Sequence, residues 1–223
     1  MSKESGQRIQ AANPMHMLLL ADNSGSLKGA PASAVTEAIR NWIIKLQMVS
    51  LGRKPYFKFS FIVFGSSSEV VAEAVDVNDV DAEAINIDGG GGTTNMAAAL
   101  VQARELIERH AEAHHCPPFV FVFTDGSPSL DGKSSDEPHT LRAGTALKNA
   151  SLPCGSPRII TLGFGSVNDS LMSTLASRPE FYKKVANAQE LVQLLPSIGT
   201  PTQVGGRPST VESMEERIAE QNI

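Results

Sequence analysis

Four strand-length apolar runs constrain this chain more than any other feature. They are Met15 to Ala21 (MHMLLLA), Phe57 to Phe64 (FKFSFIVF), Phe119 to Thr124 (FVFVFT) and Arg158 to Phe164 (RIITLGF). A strand with one wet face alternates between apolar and polar residues. A nearly continuous apolar run belongs in a sheet covered on both faces. Helix-like segments lie between the runs. Pro31 suits the first turn of a helix, and after it Val35, Ile39, Trp42, Ile43, Leu46 and Val49 recur at three- and four-residue steps to make one apolar face. Met96 to His110 repeats the pattern with Met96, Leu100, Ala103 and Ile107. Leu141 to Ala150 and Gln189 to Leu195 read as further helices. Glu69 to Ala74 reads as a short strand at a sheet edge, and Phe181 to Val185 as the last strand.

The resulting order is β-α-β-(β)-α-β-α-β-α-β-α. Strands that alternate with helices predict the α/β class: a doubly wound, Rossmann-like, mostly parallel sheet with helices on both faces and right-handed crossovers. The 223 residues suffice for one sizeable core. Composition divides the chain into a polar N-terminal arm (1–13), one domain (14–198), and a Gly/Pro-containing linker with a short polar helix (199–223). A net charge of -5 argues against a nucleic-acid binder, which would carry a basic stripe. Cys116 and Cys154 have no paired spacing, so a disulfide framework is not expected. Met1 to Asn13 lacks a signal-peptide pattern, and no apolar run is long enough to span a membrane. These features point to a reducing, cytoplasmic setting.

Sheets of this class bind ligands outside the carboxyl ends of their strands, so the residues that follow strands carry most of the functional information. The first run leads straight into Asp22-Asn23-Ser24-Gly25-Ser26, a D-x-S-x-S spacing whose three side chains can fold toward one point. Gly25 is expected to let the backbone turn tightly between the serines. The run FVFVFT leads into Asp125-Gly126, a second carboxylate at the same edge if the two strands are neighbours. Between them, just before a helix, lies Gly89-Gly90-Gly91-Gly92-Thr93-Thr94-Asn95. Its glycines allow close backbone approach to a ligand, and a threonine hydroxyl can face it. Two carboxylates and three hydroxyls form a hard, all-oxygen donor set. Such a set suits Mg²⁺, Mn²⁺ or Ca²⁺ and disfavours zinc or copper.

DNSGS (22–26), GGGGTTN (89–95) and FTDGSP (123–128), in this order, resemble the metal-ion-dependent adhesion site of the von Willebrand factor A family, and the resemblance covers roughly residues 14–198. It implies that Ser24, Ser26 and Thr94 ligate a divalent metal directly, and that Asp22 and Asp125 do so directly or through water. Thr94, followed by Asn95 and the helix, matches the family position better than Thr93. Neutral hydroxyls leave the ion electron-poor and ready to accept an outside carboxylate. The implied function is therefore a metal-dependent protein-interaction module whose partner supplies an Asp or Glu. Within the family the chain is most similar to bacterial intracellular proteins of the tellurite-resistance-associated type. That similarity implies an adaptor in a stress-response or signalling system, with a protein kinase and a PP2C-like phosphatase as partners, and with no membrane or nucleic acid involved.

Other chemistries fit less well. The glycine stretch lacks the Gly-Lys-Ser/Thr of a phosphate-binding loop. Asp79, Asp81 and Glu83 alternate like an EF-hand, but that loop's glycine position is Ala84 and its twelfth position is Gly90, so a solvated acidic turn is expected. His110, His114, His115 and Cys116 imitate a zinc set, yet they sit where a helix ends, where histidines suit the dipole. His139 shares a polar loop with Asp131 and Asp136 but has no nucleophile tied to it. A metal-dependent phosphohydrolase is the enzymatic alternative. It would need a general acid or base beside the ion, which these segments do not offer. A structural subunit whose metal only stiffens the loops is the third reading. In the loop 126–139, partner choice and a loose connection are both open. In the tail, Ser209-Thr210-Val211-Glu212 reads as a capping box. Val211, Met214 and Ile218 form a narrow apolar stripe on a helix too short to stand alone. That helix can dock on its own domain, swap, or fill a partner's groove. Thr210 and Ser213 are candidate phosphorylation sites.

Overall fold

The computed structural model describes residues 14–51, 56–130, 135–198 and 210–221. The N-terminal arm, Asp131 and the linker fall outside these residues. One six-stranded sheet organises the rest. Its strands are β1 (Met15–Asp22), β2 (Phe57–Phe64), β3 (Ser68–Asp76), β4 (Phe119–Thr124), β5 (Arg158–Phe164) and β6 (Tyr182–Val185). The order across the sheet is β3-β2-β1-β4-β5-β6. Only β3 runs antiparallel, against β2. Every residue of β1 and β4 is buried, as continuous apolar runs require of central strands. β3 is partly exposed along its length, as suits an edge, and is longer than its apolar pattern suggested. The irregular pairing of β2 with β3 brings Ala74 to φ 46°, with its N–H donating to Ser60 Oγ at 2.8 Å.

Two apolar layers cover the sheet. On one face lie α1 (Ala30–Ser50) and α5 (Ala188–Ile198), joined by α6 (Val211–Glu220). They pack with Met15, Met17, Leu19 and Ala21 of β1. On the other face lie α2 (Met96–Arg109), α3 (Glu137–Lys148) and α4 (Asp169–Leu175), packed with Leu18 and Leu20. The period-two alternation of β1 thus feeds both layers. In α1 the residues Val35, Ile39, Trp42, Ile43 and Leu46 are buried, with Trp42 edge-on to Phe121 at 4.9 Å between ring centroids. α2 buries Met96, Leu100, Ala103 and Ile107, as its periodicity predicts.

Three details differ from the sequence reading. α3 begins at Glu137, not Leu141, because Pro138 fits the first turn, where its missing N–H costs nothing. His139 is therefore helical and not in a loop. The helix between β5 and β6, for which periodicity gave no bounds, is only seven residues long and is capped by Asn168, whose Oδ1 accepts the Leu171 N–H at 3.1 Å. The capping box of α6 lies one residue further on: the Thr210 hydroxyl accepts the Ser213 N–H at 3.1 Å, and Ser213 Oγ accepts the Thr210 N–H at 3.0 Å. α6 docks on its own domain and buries Val211, Met214 and Ile218. Glu215 reinforces the docking by accepting from both Arg158 and Arg178.

Candidate metal centre

The strand order reverses direction between β1 and β4. After β1 the chain builds outward through β2 and β3, and after β4 it builds the other way through β5 and β6. Parallel sheets open a crevice at such a switch point, beyond the carboxyl ends of the two strands. β1 and β4 are neighbours with Ala21 opposite Phe123, so Asp22 and Asp125 emerge at the same edge, as the sequence reading required. A short 3₁₀ turn, Gly25–Leu27, then carries Ser26 back toward β4.

Four of the five expected residues form one hydrogen-bonded chain. Asp22 Oδ1 accepts the Ser24 N–H at 2.7 Å, and Asp22 Oδ2 accepts the Thr124 hydroxyl at 2.5 Å. The hydroxyls of Ser24 and Ser26 lie 3.1 Å apart, and Ser26 donates to Asp125 Oδ1 at 2.8 Å. Thr94 is buried, and its Oγ1 lies on the Asp125–Gly126 side of the crevice: a Cβ added to Gly126 would sit 3.9 Å from it. Backbone bonds in both directions between Thr94 and Ser129 fix it there, and pin the start of the loop that follows Asp125. Thr93, in contrast, is half-buried and bonds Ser66 Oγ at 3.1 Å.

The glycine stretch packs its backbone closely against the neighbouring loops. Its backbone interlocks with the loops after β1 and β2. Gly91 N–H donates to Asn23 O at 2.8 Å, Gly25 N–H to Gly92 O at 2.8 Å and Ser66 N–H to Gly91 O at 2.7 Å. A Cβ on Gly65 would fall 2.3 Å from Gly91 O. Gly25 itself has no left-handed backbone, and a Cβ there would meet only Gly92 O at 3.5 Å. The tight turn expected of it is not what sets the geometry. Asn23, Gly65, Ser66 and Thr124 are thus structural parts of the site that the motif reading passed over. Asn23 Oδ1 accepts the N–H groups of Asp88 and Gly89 at 2.9 and 2.7 Å, tying the loops together. Only the position of Gly65-Ser66 directly after a strand hinted at their part.

The electrostatics favour a cation. Asp22 is fully buried, and burial raises its pKa to about 6 despite the bonds from Thr124 and Ser24. Burial also raises Asp125 above the usual carboxylate range, against the Ser26 hydrogen bond. Neither carboxylate has an ion pair among the described residues. Two desolvated carboxylates without a basic partner, beside three hydroxyls, fit a hard divalent ion bound through oxygen.

The other candidates disperse. His110 bonds Glu73 at 2.9 Å, His114 bonds the Ile107 carbonyl at 3.1 Å and lies tilted against His16 with ring centroids 5.0 Å apart, and His115 is exposed. Among the described residues no three His, Cys, Asp or Glu side chains gather as a metal set. Asp81 caps a 3₁₀ turn, and Glu83 pairs with Arg40 at 3.0 Å. His139 bonds Asp136 at 2.5 Å. Cys116 is buried and Cys154 half-buried, and the two are not joined in a disulfide.

The model of the von Willebrand factor type A domain matches residues 16–197. Solved structures of similar fold include the pilus adhesin SpaC of Lactobacillus rhamnosus GG (TM-score 0.70, 15% identity, 96% of this chain and 32% of that one). A second is proximal thread matrix protein 1 of the mussel byssus with a zinc-occupied MIDAS motif (TM-score 0.59, 13% identity, 85% of this chain and 49% of that one). A third is the manganese-loaded TRAP protein of Plasmodium vivax (TM-score 0.59, 23% identity, 85% of this chain and 74% of that one). The chain thus spans about a third of the adhesin and half of the mussel protein. No curated protein matches it in sequence. No helix among the described residues is long and apolar enough to cross a membrane.

Proposed function

The chain belongs to the von Willebrand factor type A family, and from that premise we propose that it is a divalent-metal-dependent protein-interaction module. In this reading Asp22, Ser24, Ser26, Thr94 and Asp125 hold the ion, and a partner's Asp or Glu completes its coordination. The observation that carries the reading is the pair of buried carboxylates, joined through Ser26 and unpaired with any described base, at the switch point of the sheet. The metal supplies an electron-poor centre for an incoming carboxylate. The protein's part is to present hydroxyl and carboxylate oxygens on loops locked to one another, so that little ordering is needed when the ion and the partner arrive. Mg²⁺ is the expected ion. Mn²⁺ and Zn²⁺, held by two proteins of similar fold, are the ions to compare with it.

We extend the reading to a cytoplasmic adaptor acting beside a protein kinase and a PP2C-like phosphatase in a bacterial stress response. This narrower part is supported by the motif resemblance alone. The test is capture of partners by the tagged protein from native lysate in Mg²⁺ and in EDTA, with Asp125→Ala in parallel, read by mass spectrometry. Partners retained in Mg²⁺ but lost with EDTA and with Asp125→Ala support the module. A partner set indifferent to both contradicts it. If chelation lowers the melting temperature while capture is unchanged, the metal is only a stiffener of the loops.

A further inference from the structure

α2 and α3 both start at the metal edge and run side by side down one face of the sheet. A groove of about 580 Å³ opens between them. Its floor is apolar, because Ala97, Ala143 and Ala146 are too small to fill the space between the helices, and Val101 stands beside it, 47% exposed. The groove is continuous with the metal edge. Ala97 is three residues after Thr94 on the chain, and Ser68, at the groove's upper end, begins the strand that follows the Gly65-Ser66 loop. At about 1.5 Å of rise per helical residue, Val101 lies roughly 10 Å below Thr94. That distance is within reach of a side chain a few residues from a carboxylate seated at the ion.

Charge runs along the groove. Arg142 lies on the second turn of α3, on the half nearer the metal edge, one turn after His139, whose ring is bonded to Asp136. Arg142 is exposed and has no ion pair among the described residues. The one acid in the lining, Glu105, sits two turns down α2 at the far end. The metal edge and the upper groove therefore favour acidic residues, while the floor favours an aliphatic side chain.

We propose that this groove is the specificity subsite for the partner: an acidic peptide segment places one carboxylate at the metal and an aliphatic side chain, a few residues away, between α2 and α3. The proposal rests on the function proposed above. It adds that partner choice is made by Val101, Arg142 and the alanine floor, away from the ion. Small residues on both helices leave the space, and burying a leucine-sized side chain there strengthens binding by tenfold or more.

The experiment uses a displayed library of random heptapeptides, panned on the full chain in Mg²⁺ and eluted with EDTA. Eluted sequences are synthesised and their affinity measured against the wild type, Asp125→Ala, Val101→Glu and Arg142→Glu. Both groove substitutions fall on exposed helix positions, so the fold is retained, and Mn²⁺ titration of each variant verifies the ion site separately. The expected result is peptides with an Asp or Glu and, at a fixed spacing, a Leu, Ile, Val or Met. Their affinity should fall about tenfold in Val101→Glu and more weakly in Arg142→Glu, with Mn²⁺ binding unchanged. EDTA-eluted peptides that share an acid but no apolar position, and that bind Val101→Glu as tightly as the wild type, would overturn the groove while leaving the metal-dependent module intact. Peptides that resist EDTA, or that bind Asp125→Ala equally, would overturn the module and the subsite together.

Discussion

Asp22 carries a charge where folding penalises it. Its pKa rises from 3.8 to about 6 in the folded chain. Between those two values the folded state keeps a proton that the unfolded state has lost, so stability without metal declines as pH rises through this window and levels off above it. At pH 7 the cost is on the order of 3 kcal/mol. Asp22→Asn removes that cost but loses part of the bonding to Thr124 and Ser24. In EDTA at pH 7 the variant should therefore be more stable than the wild type by about 1–3 kcal/mol, and the difference should vanish near pH 4. Mg²⁺ should reverse the order, because only the wild type gains from the ion. Thermal unfolding of both proteins at the two pH values checks this. His16 and His114 pull the other way. Burial lowers both, and neighbouring histidines add to the effect. The unfolded chain takes up their protons first, so stability falls as pH drops below about 6.5. The difference between wild type and Asp22→Asn cancels this opposing trend.

Among the elements, the loops at the strand ends were the least legible in sequence. The buried strands announced themselves through unbroken apolar runs, and α1 and α2 through their periodicity. D-x-S-x-S, the glycine stretch and T-D-G marked the candidate ligands because a motif records side-chain chemistry. It does not record which backbones interlock, so Gly25 drew attention while Gly65 did not. The same blindness left α4 without bounds, its seven residues being too few for a period to emerge, and placed the start of α3 a turn late. Gly65→Ala should cost about 1–3 kcal/mol and weaken metal binding, since the added methyl collides with the Gly91 carbonyl. Gly25→Ala should cost less than about 1 kcal/mol, the contact there being ordinary. Denaturant titration of the pair distinguishes the two. The tail helix offers a separate test. Glu215 is buried between Arg158 and Arg178, which are partly exposed. Glu215→Ala should lower stability by about 1–2 kcal/mol and leave metal affinity unchanged, because its partner Arg158 begins β5, at the end of the strand opposite the crevice.

At the scale of the molecule, the described residues form an α/β frame whose switch point gathers oxygen donors, flanked by a groove between two helices that start at the same edge. On the proposed function, an ion that binds the folded chain and not the unfolded one would stabilise the fold by mass action, in proportion to the logarithm of its concentration above Kd. On the same reading, a partner that adds its carboxylate to the ion would stabilise the fold further and, by reciprocity, tighten the ion. All of this depends on whether the crevice between β1 and β4 takes up a divalent cation. Titration with Mn²⁺, followed by the loss of its free electron-spin resonance signal and by competition with Mg²⁺, measures that directly. The account predicts one Mn²⁺ per chain, displaced by Mg²⁺ and lost in Asp125→Ala while the circular dichroism spectrum stays that of the wild type. A folded wild-type chain that binds no Mn²⁺, or a folded Asp125→Ala that binds it as tightly, would contradict it.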